Sequence, residues 1–245
     1  DPAEAMGANK TNSILEFLSA KLGQLDHVEE KLFAILSNYP SQLTKAEVKI
    51  DPATIGGEKV AERIVLLSQI GYEDPYRAVT NNKGIMNGVD AVLIATGNDY
   101  RAIENATAVL ANQDGQYRSL SKWTMKDDKL VGELTLPMAI GVVGGSIKAR
   151  RDVQQSFAIL GKDITSKVLG EIITSIGLAN NLAALLAIST VGIQAGHMKL
   201  QARNVVAELK ATKEEKKTVL NRMIQEKNYS ESHAKDILEK LREEK

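Results

Sequence analysis

The stretch from Asp163 to Thr190 limits the fold more than any other part of the chain. It carries no charge after Glu171 and is built largely from Ala, Leu and Ile. Its length reads as one long helix, and a helix that is apolar around most of its girth is stable in water only inside a core. The rest of the chain must therefore wrap it. Aromatic residues are scarce, at 4% of 245 residues, so the wrapping has to be aliphatic.

Apolar spacing predicts the elements that do the wrapping. Helices are expected over Ala3–Leu22, Val28–Leu36, Glu58–Ile70 and Asp99–Ala111, the last opened by Asn98 or Asp99 as N-cap. Alternation over Thr44–Ile50 reads as a half-buried strand. Gln116–Met125 and Lys129–Leu136 read as two strands of a hairpin turning at Asp127-Asp128. Asp90–Ala95 (DAVLIA), short and apolar between Gly88 and Gly97, reads as a buried strand, and Gly141–Ser146 as a glycine-rich loop. Composition shifts after His197: residues 208–245 hold 19 of the 62 charged residues, which implies a separate helical unit with a solvated exterior.

Formal charge balances, with 31 basic and 31 acidic residues, so no long-range field draws the chain to nucleic acid or to an anionic membrane. No run reaches the ~20 uninterrupted apolar residues expected of a spanning helix. With no cysteine, disulfides and thiolate chemistry are excluded, and a reducing compartment is permitted. No pair of histidines has metal-ligand spacing, so no metal site is expected. There is also no Gly-x-Ser-x-Gly elbow.

Three segments combine polar residues with glycines beside apolar structure: Asn81–Asn87 (NNKGIMN), Thr96–Asp99 (TGND) and Gly196–Met198 (GHM). Lys83 is either a surface lysine beside a turn or a cation stabilising charge on a substrate carbonyl oxygen, with Asp99 as its candidate partner across the expected strand. His197 is either exposed or a proton donor near neutral pH. His27 and His233 sit in charged stretches and read as surface residues.

Taken in order, several blocks resemble the hydroxymethylglutaryl-CoA reductase family. They are EAMGAN (Glu4–Asn9), DPYRA (Asp74–Ala78), NKGIMNGVDAVLIATGNDYRAIE (Asn82–Glu104), GELTLPMAIGVVGG (Gly132–Gly145), GLANNLAALLA (Gly177–Ala187) and GIQAGHMKLQARN (Gly192–Asn204). The first departs from the family's DAMGAN signature in its opening Glu. The likeness is closer to the soluble bacterial type than to the membrane-anchored one.

The resemblance implies an α+β fold, a helix-dominated substrate domain around a modest sheet. It assigns 1–40 to a small NAD(P)-binding domain, 41–196 to the substrate domain and 197–245 to a C-terminal helical flap. It implies reduction of hydroxymethylglutaryl-CoA to mevalonate and CoA in two hydride transfers from NADPH or NADH, in the cytoplasm and as a homodimer. Lys83 would polarise the thioester and then the aldehyde oxygen, with Asp99 paired to it and Asn87 orienting the network. His197 would protonate the departing CoA thiolate, Arg77 would bind the free carboxylate, and Met6, Gly7 and Asn9 would line the cofactor site. The family's catalytic glutamate belongs to an upstream motif that this sequence does not contain. The enzyme is then expected to be completed by an N-terminal fragment; otherwise the chain is a non-catalytic CoA-binding or dimer-forming remnant.

Overall fold

The computed structural model describes residues 2–145, 147–161, 163–190 and 192–243, without the side chains of 193–197, 199 and 200. In chain order the elements are α1 (Ala8–Leu22), β1 (Leu43–Ile50), a 3-10 turn (Pro52–Ile55), α2 (Glu58–Glu73), α3 (Pro75–Ala95), α4 (Tyr100–Ala111), β2 (Ser121–Lys126) and β3 (Lys129–Pro137). Then come α5 (Arg151–Leu160), α6 (Ser166–Ser189), α7 (Ile193–Glu208), α8 (Lys213–Gln225) and α9 (Glu231–Glu243). The chain divides into two compact units, 1–185 and 186–245. The class is α+β and helix-dominated, as the resemblance implied.

In the first unit an antiparallel sheet runs in the order β1-β3-β2. Its hairpin turns at Asp127 and Asp128, with φ of 49° and 58°. Positive φ at both turn residues gives the twist that a two-residue hairpin needs, and aspartate tolerates it better than most residues. Trp123 on β2 lies opposite Gly132 on β3. A Cβ at Gly132 would stand 2.3 Å from the indole, so that glycine makes the room in which the ring is buried.

The indole leads into a buried polar chain joining sheet to helices. Trp123 Nε1 donates to Asn181 Oδ1 of α6 at 2.8 Å, and Asn181 Nδ2 donates to Asn81 Oδ1 of α3 at 2.8 Å. Asn81 Nδ2 in turn donates to the Ser119 and Ser121 hydroxyls at 2.6 and 3.1 Å. Asn82, on the same turn of α3, holds the segment leading into β2, donating to the Arg118 carbonyl and accepting from the Leu120 N–H. Satisfied buried polar groups of this kind fix one arrangement of a core.

The expected strand at Asp90–Ala95 is instead the end of α3. The buried residues Ala78, Asn81, Asn82, Ile85, Met86, Val89 and Leu93 recur with helical period over the whole of 75–95. Of the two glycines that suggested strand boundaries, Gly97 does lie in the turn after the helix, with φ of 70°, but Gly88 lies within α3, where it lets the helix approach α6. A Cβ on Gly88 would come within 3.1 Å of Ile176, and one on Gly177 within 2.9 Å of Val89. The helix expected over Val28–Leu36 is absent, and that segment has no regular secondary structure. A nine-residue helix with no face to bury cannot repay its nucleation cost. By length and composition α6 could cross a membrane, which corrects the expectation that no segment could. Its Leu169, Ile173, Leu178 and Leu185 are buried in protein, and its buried Thr174 and Asn181 are hydrogen-bonded. One face of α6 is thus packed in the core, while 39% of its most apolar stretch is buried in all.

The second unit has its own small core of Ala202, Val206, Leu209, Val219, Met223, Ala234, Ile237 and Leu238. Thr212 and Glu215 form a reciprocal capping box at the start of α8.

Candidate active site

α3 presents the motif around Lys83 on a rigid support. Asp74 caps the helix by accepting from the Tyr76 N–H at 3.0 Å, and Pro75 occupies its first turn. Asn81 and Asn82 face inward, so half of the polar motif is scaffold. Lys83 and Asn87 face outward, exposed and one helical turn apart. Exposed Tyr76, Val79 and Ile94 lie on the same side of the helix. Arg77 is half-buried, and burial alone lowers the pKa of its guanidinium, with no carboxylate acting on it. A covered, uncompensated fork of this kind suits an incoming carboxylate.

Asp99 lies elsewhere. It is the N-cap of α4, its carboxylate accepting from the N–H groups of Arg101 and Ala102 at 3.1 and 3.4 Å. Its cation is Arg101, at 3.2 Å. Burial works to raise the Asp99 pKa, and the bonds from Arg101 and the backbone outweigh it, leaving the carboxyl below its usual range. Lys83 stands twelve residues before the end of α3, about 18 Å along the axis, and Asp99 is farther still. The expectation that Lys83 and Asp99 meet within one chain is not met. It depended on a short strand between them, and the helix in its place carries Lys83 away from the turn.

What does converge at that turn is a set of backbone segments. Asn98 Nδ2 donates to the Gly141 carbonyl at 3.1 Å, and Asn98 Oδ1 accepts from the Gly141 N–H at 2.9 Å. The loop after Gly141 continues onto the N-terminal segment: the Val142 N–H donates to the Glu4 carbonyl at 2.8 Å, and Ala5 bridges Val143. Glu4 then accepts from the Ser166 N–H at 2.6 Å, at the start of α6. The EAMGAN, TGND and GVVGG blocks are thus one joint, with Asn98 and Glu4 as its pins. Sequence reasoning missed both roles. The blocks were visible as separate polar, glycine-bearing segments, but an amide spanning 43 residues leaves no periodic trace.

Gly7 caps α1 with φ of 87°, a conformation that strains other residues, and a Cβ there would lie 2.5 Å from Pro2. No side chain caps this helix, so the N–H groups of its first turn, around Asn9, stay open to an anion. Met6 lines an adjoining cleft with Tyr39, Ala102, Ile103, Pro137 and Ala139. These features fit the phosphates and rings of a dinucleotide. The backbone of His197 belongs to α7, and its side chain lies outside the described residues. Among the described residues no group of acidic or histidine side chains could hold a metal ion.

The family model for hydroxymethylglutaryl-coenzyme A reductase matches residues 1–202. The chain belongs to that family. Among curated relatives, the 3-hydroxy-3-methylglutaryl-coenzyme A reductase of Archaeoglobus fulgidus is 39% identical over 99% of this chain and 55% of its own length. A probable reductase of the same name from Borreliella burgdorferi is also 39% identical, over 99% of this chain and 58% of its own. A solved reductase from Streptococcus pneumoniae is 44% identical with a TM-score of 0.75, covering 98% of this chain and 59% of that one. A class II enzyme from the same organism, bound to NADPH in open conformations, is 44% identical with a TM-score of 0.74, covering 99% and 60%. The chain thus spans between half and two-thirds of the length of these relatives.

Proposed function

We propose that this chain works as part of a cytoplasmic hydroxymethylglutaryl-CoA reductase that converts hydroxymethylglutaryl-CoA to mevalonate and CoA with NADPH or NADH. The observation that carries the reading is α3, a helix locked by buried amides that presents Lys83 and Asn87 side by side and exposed. Bound nicotinamide cofactor supplies hydride. Lys83 stabilises the negative charge that develops on the thioester oxygen and later on the aldehyde oxygen. Asn87, one turn on, orients the same oxygen's surroundings, and Arg77 receives the substrate's free carboxylate. His197 delivers a proton to the departing thiolate.

Asp99 reaches a lysine by belonging to a second copy. The outward face of α3, with Tyr76, Val79 and Ile94 beside Lys83, is apolar enough to be covered, and a homodimer would bring an Asp99 to each Lys83. Residues 1–40 serve as part of the cofactor-binding domain, with Met6, Gly7 and Asn9 at the dinucleotide. Residues 41–196 serve as the substrate domain and 197–245 as the flap. The rest of that cofactor domain, and the carboxylic acid it carries in the family, would come from the upstream region of the enzyme.

The test is hydroxymethylglutaryl-CoA-dependent oxidation of NADPH, first by the chain alone and then with the upstream region of the Streptococcus pneumoniae relative added. Turnover is expected with the added region. Lys83→Ala should then lose about 10²–10³ in kcat or more while melting like wild type. Wild-type turnover in that variant overturns the assignment of Lys83. Absence of turnover in both mixtures would overturn the reading.

A further inference from the structure

Two carboxyl groups face each other between α3 and α4, and the reading above gives them no role. Asp90 follows Lys83 by seven residues and Asn87 by three, which places it on the same side of α3. Glu104 follows Asp99, the N-cap of α4, by five residues. One oxygen of Asp90, Oδ1, is buried with no hydrogen-bond partner, and the Asp90 side chain lies within hydrogen-bonding reach of Glu104. Two carboxylates in contact cannot both ionise cheaply, whereas one proton between them turns repulsion into a strong O–H···O⁻ bond. Burial first, and the neighbouring Glu104 second, push Asp90 up to about 7.

Among the described residues no cation offsets the pair. Arg101 of α4 is committed to Asp99, and Arg150 and Asp152 beside α5 pair with each other. From α6, the residue that meets this part of α3 is the uncharged Asn180, whose amide donates to the Gly84 carbonyl. Among the described charged groups, including Glu58, Lys59, Glu62, Arg63 and Glu73 of α2, Glu104 alone acts on Asp90.

We propose that Asp90 and Glu104 share one proton that clamps α4 to α3, fixing Asp99 relative to the face that carries Lys83 and Asn87. Asp90 is then a positioning residue for the reduction. Its role in turnover rests on the reading of Lys83 and Asp99 given above, while the clamp rests on the two helices alone. The folded pKa of Asp90 stands above its ordinary 3.8. The clamp's contribution to stability is therefore complete below that value and is lost as pH rises through about 7. Beyond that point two like charges press the helices apart.

Asp90→Asn and Glu104→Gln separate the two layers, because either amide donates to the remaining carboxylate at any pH. Melting of the chain between about pH 6 and pH 8 should fall less steeply in both variants than in wild type, with a higher Tm than wild type at the alkaline end. An unchanged pH dependence of Tm overturns the shared proton. In the reconstituted reductase, the decline of kcat over that range should shrink in both variants with little change in KM. Asp90→Ala, which offers no donor, should lose about 10²-fold in kcat. A kcat decline identical to wild type in Asp90→Asn overturns the positioning role. Flattened melting in a protein that never turns over leaves the clamp standing and removes its catalytic purpose together with the reading of Lys83.

Discussion

α1 and α3 both carry apolar residues at helical spacing, yet only α3 buries them. Seven residues of α3 are buried and none of α1 is. Phe17 is 62% exposed, and Leu32 in the irregular segment after α1 is 79% exposed. The difference is in the partners. α3 lies against α6 and against the strand that bears Trp123, joined to both by amide hydrogen bonds, whereas α1 and residues 28–40 meet the rest of the unit only along an open cleft with α4 and the end of β3. Helical periodicity in a sequence thus reports that a face exists to be buried. It does not report that the covering surface belongs to the same stretch of chain.

The contrast can be broken most forcefully from the α3 side. Ile85 is fully buried and would touch any side chain added at Gly177. Ile85→Ala should cost about 2–5 kcal/mol, read as a lower denaturation midpoint at unchanged m-value. A loss under about 1 kcal/mol would mean that the α3–α6 contact is not a packed core, since even smaller core truncations cost that much.

Next in size is the opposite error, a group too many. Gly132→Ala places a methyl inside the Trp123 ring and should cost about 1–3 kcal/mol, with a changed tryptophan emission as the indole shifts. A neutral result would show that Trp123 has free space beside β3 and that the sheet does not depend on their contact.

The sequence made the sheet, the hairpin turn, the apolar core helix and the charged C-terminal unit legible, because each rests on local periodicity or turn chemistry. Asp127-Asp128 between two alternating runs could hardly be anything but a hairpin. It misled where a glycine served a neighbour instead of its own backbone. Gly88 signalled a break and is instead the place where α6 comes close, a fact that resides in Ile176 and Asn180. The candidate site divides in the same way. Lys83 and Asn87 were legible as members of one polar segment, but that segment read as a turn ahead of a strand, and the exposed helical face they share follows only from α3. The pairing of Asp99 with Arg101, and the joint pinned by Asn98, depend on side-chain directions at a turn that spacing does not encode.

The smallest expected effect is the one that decides what α1 lacks. In the chain alone, Phe17→Ser and Leu32→Ser should each change stability by no more than about 0.5 kcal/mol, because a side chain already in water has little burial to lose. With the upstream region of the Streptococcus pneumoniae relative added and bound, the same substitutions should weaken the association measurably, since each would then remove apolar area from a formed interface. The direction of that change separates two accounts of the exposed face. If the substitutions are neutral both alone and in the mixture, the apolar residues of α1 cover nothing upstream. If they destabilise the chain alone, residues 14–35 already pack against each other more tightly than their exposure indicates, and α1 and α3 differ only in degree.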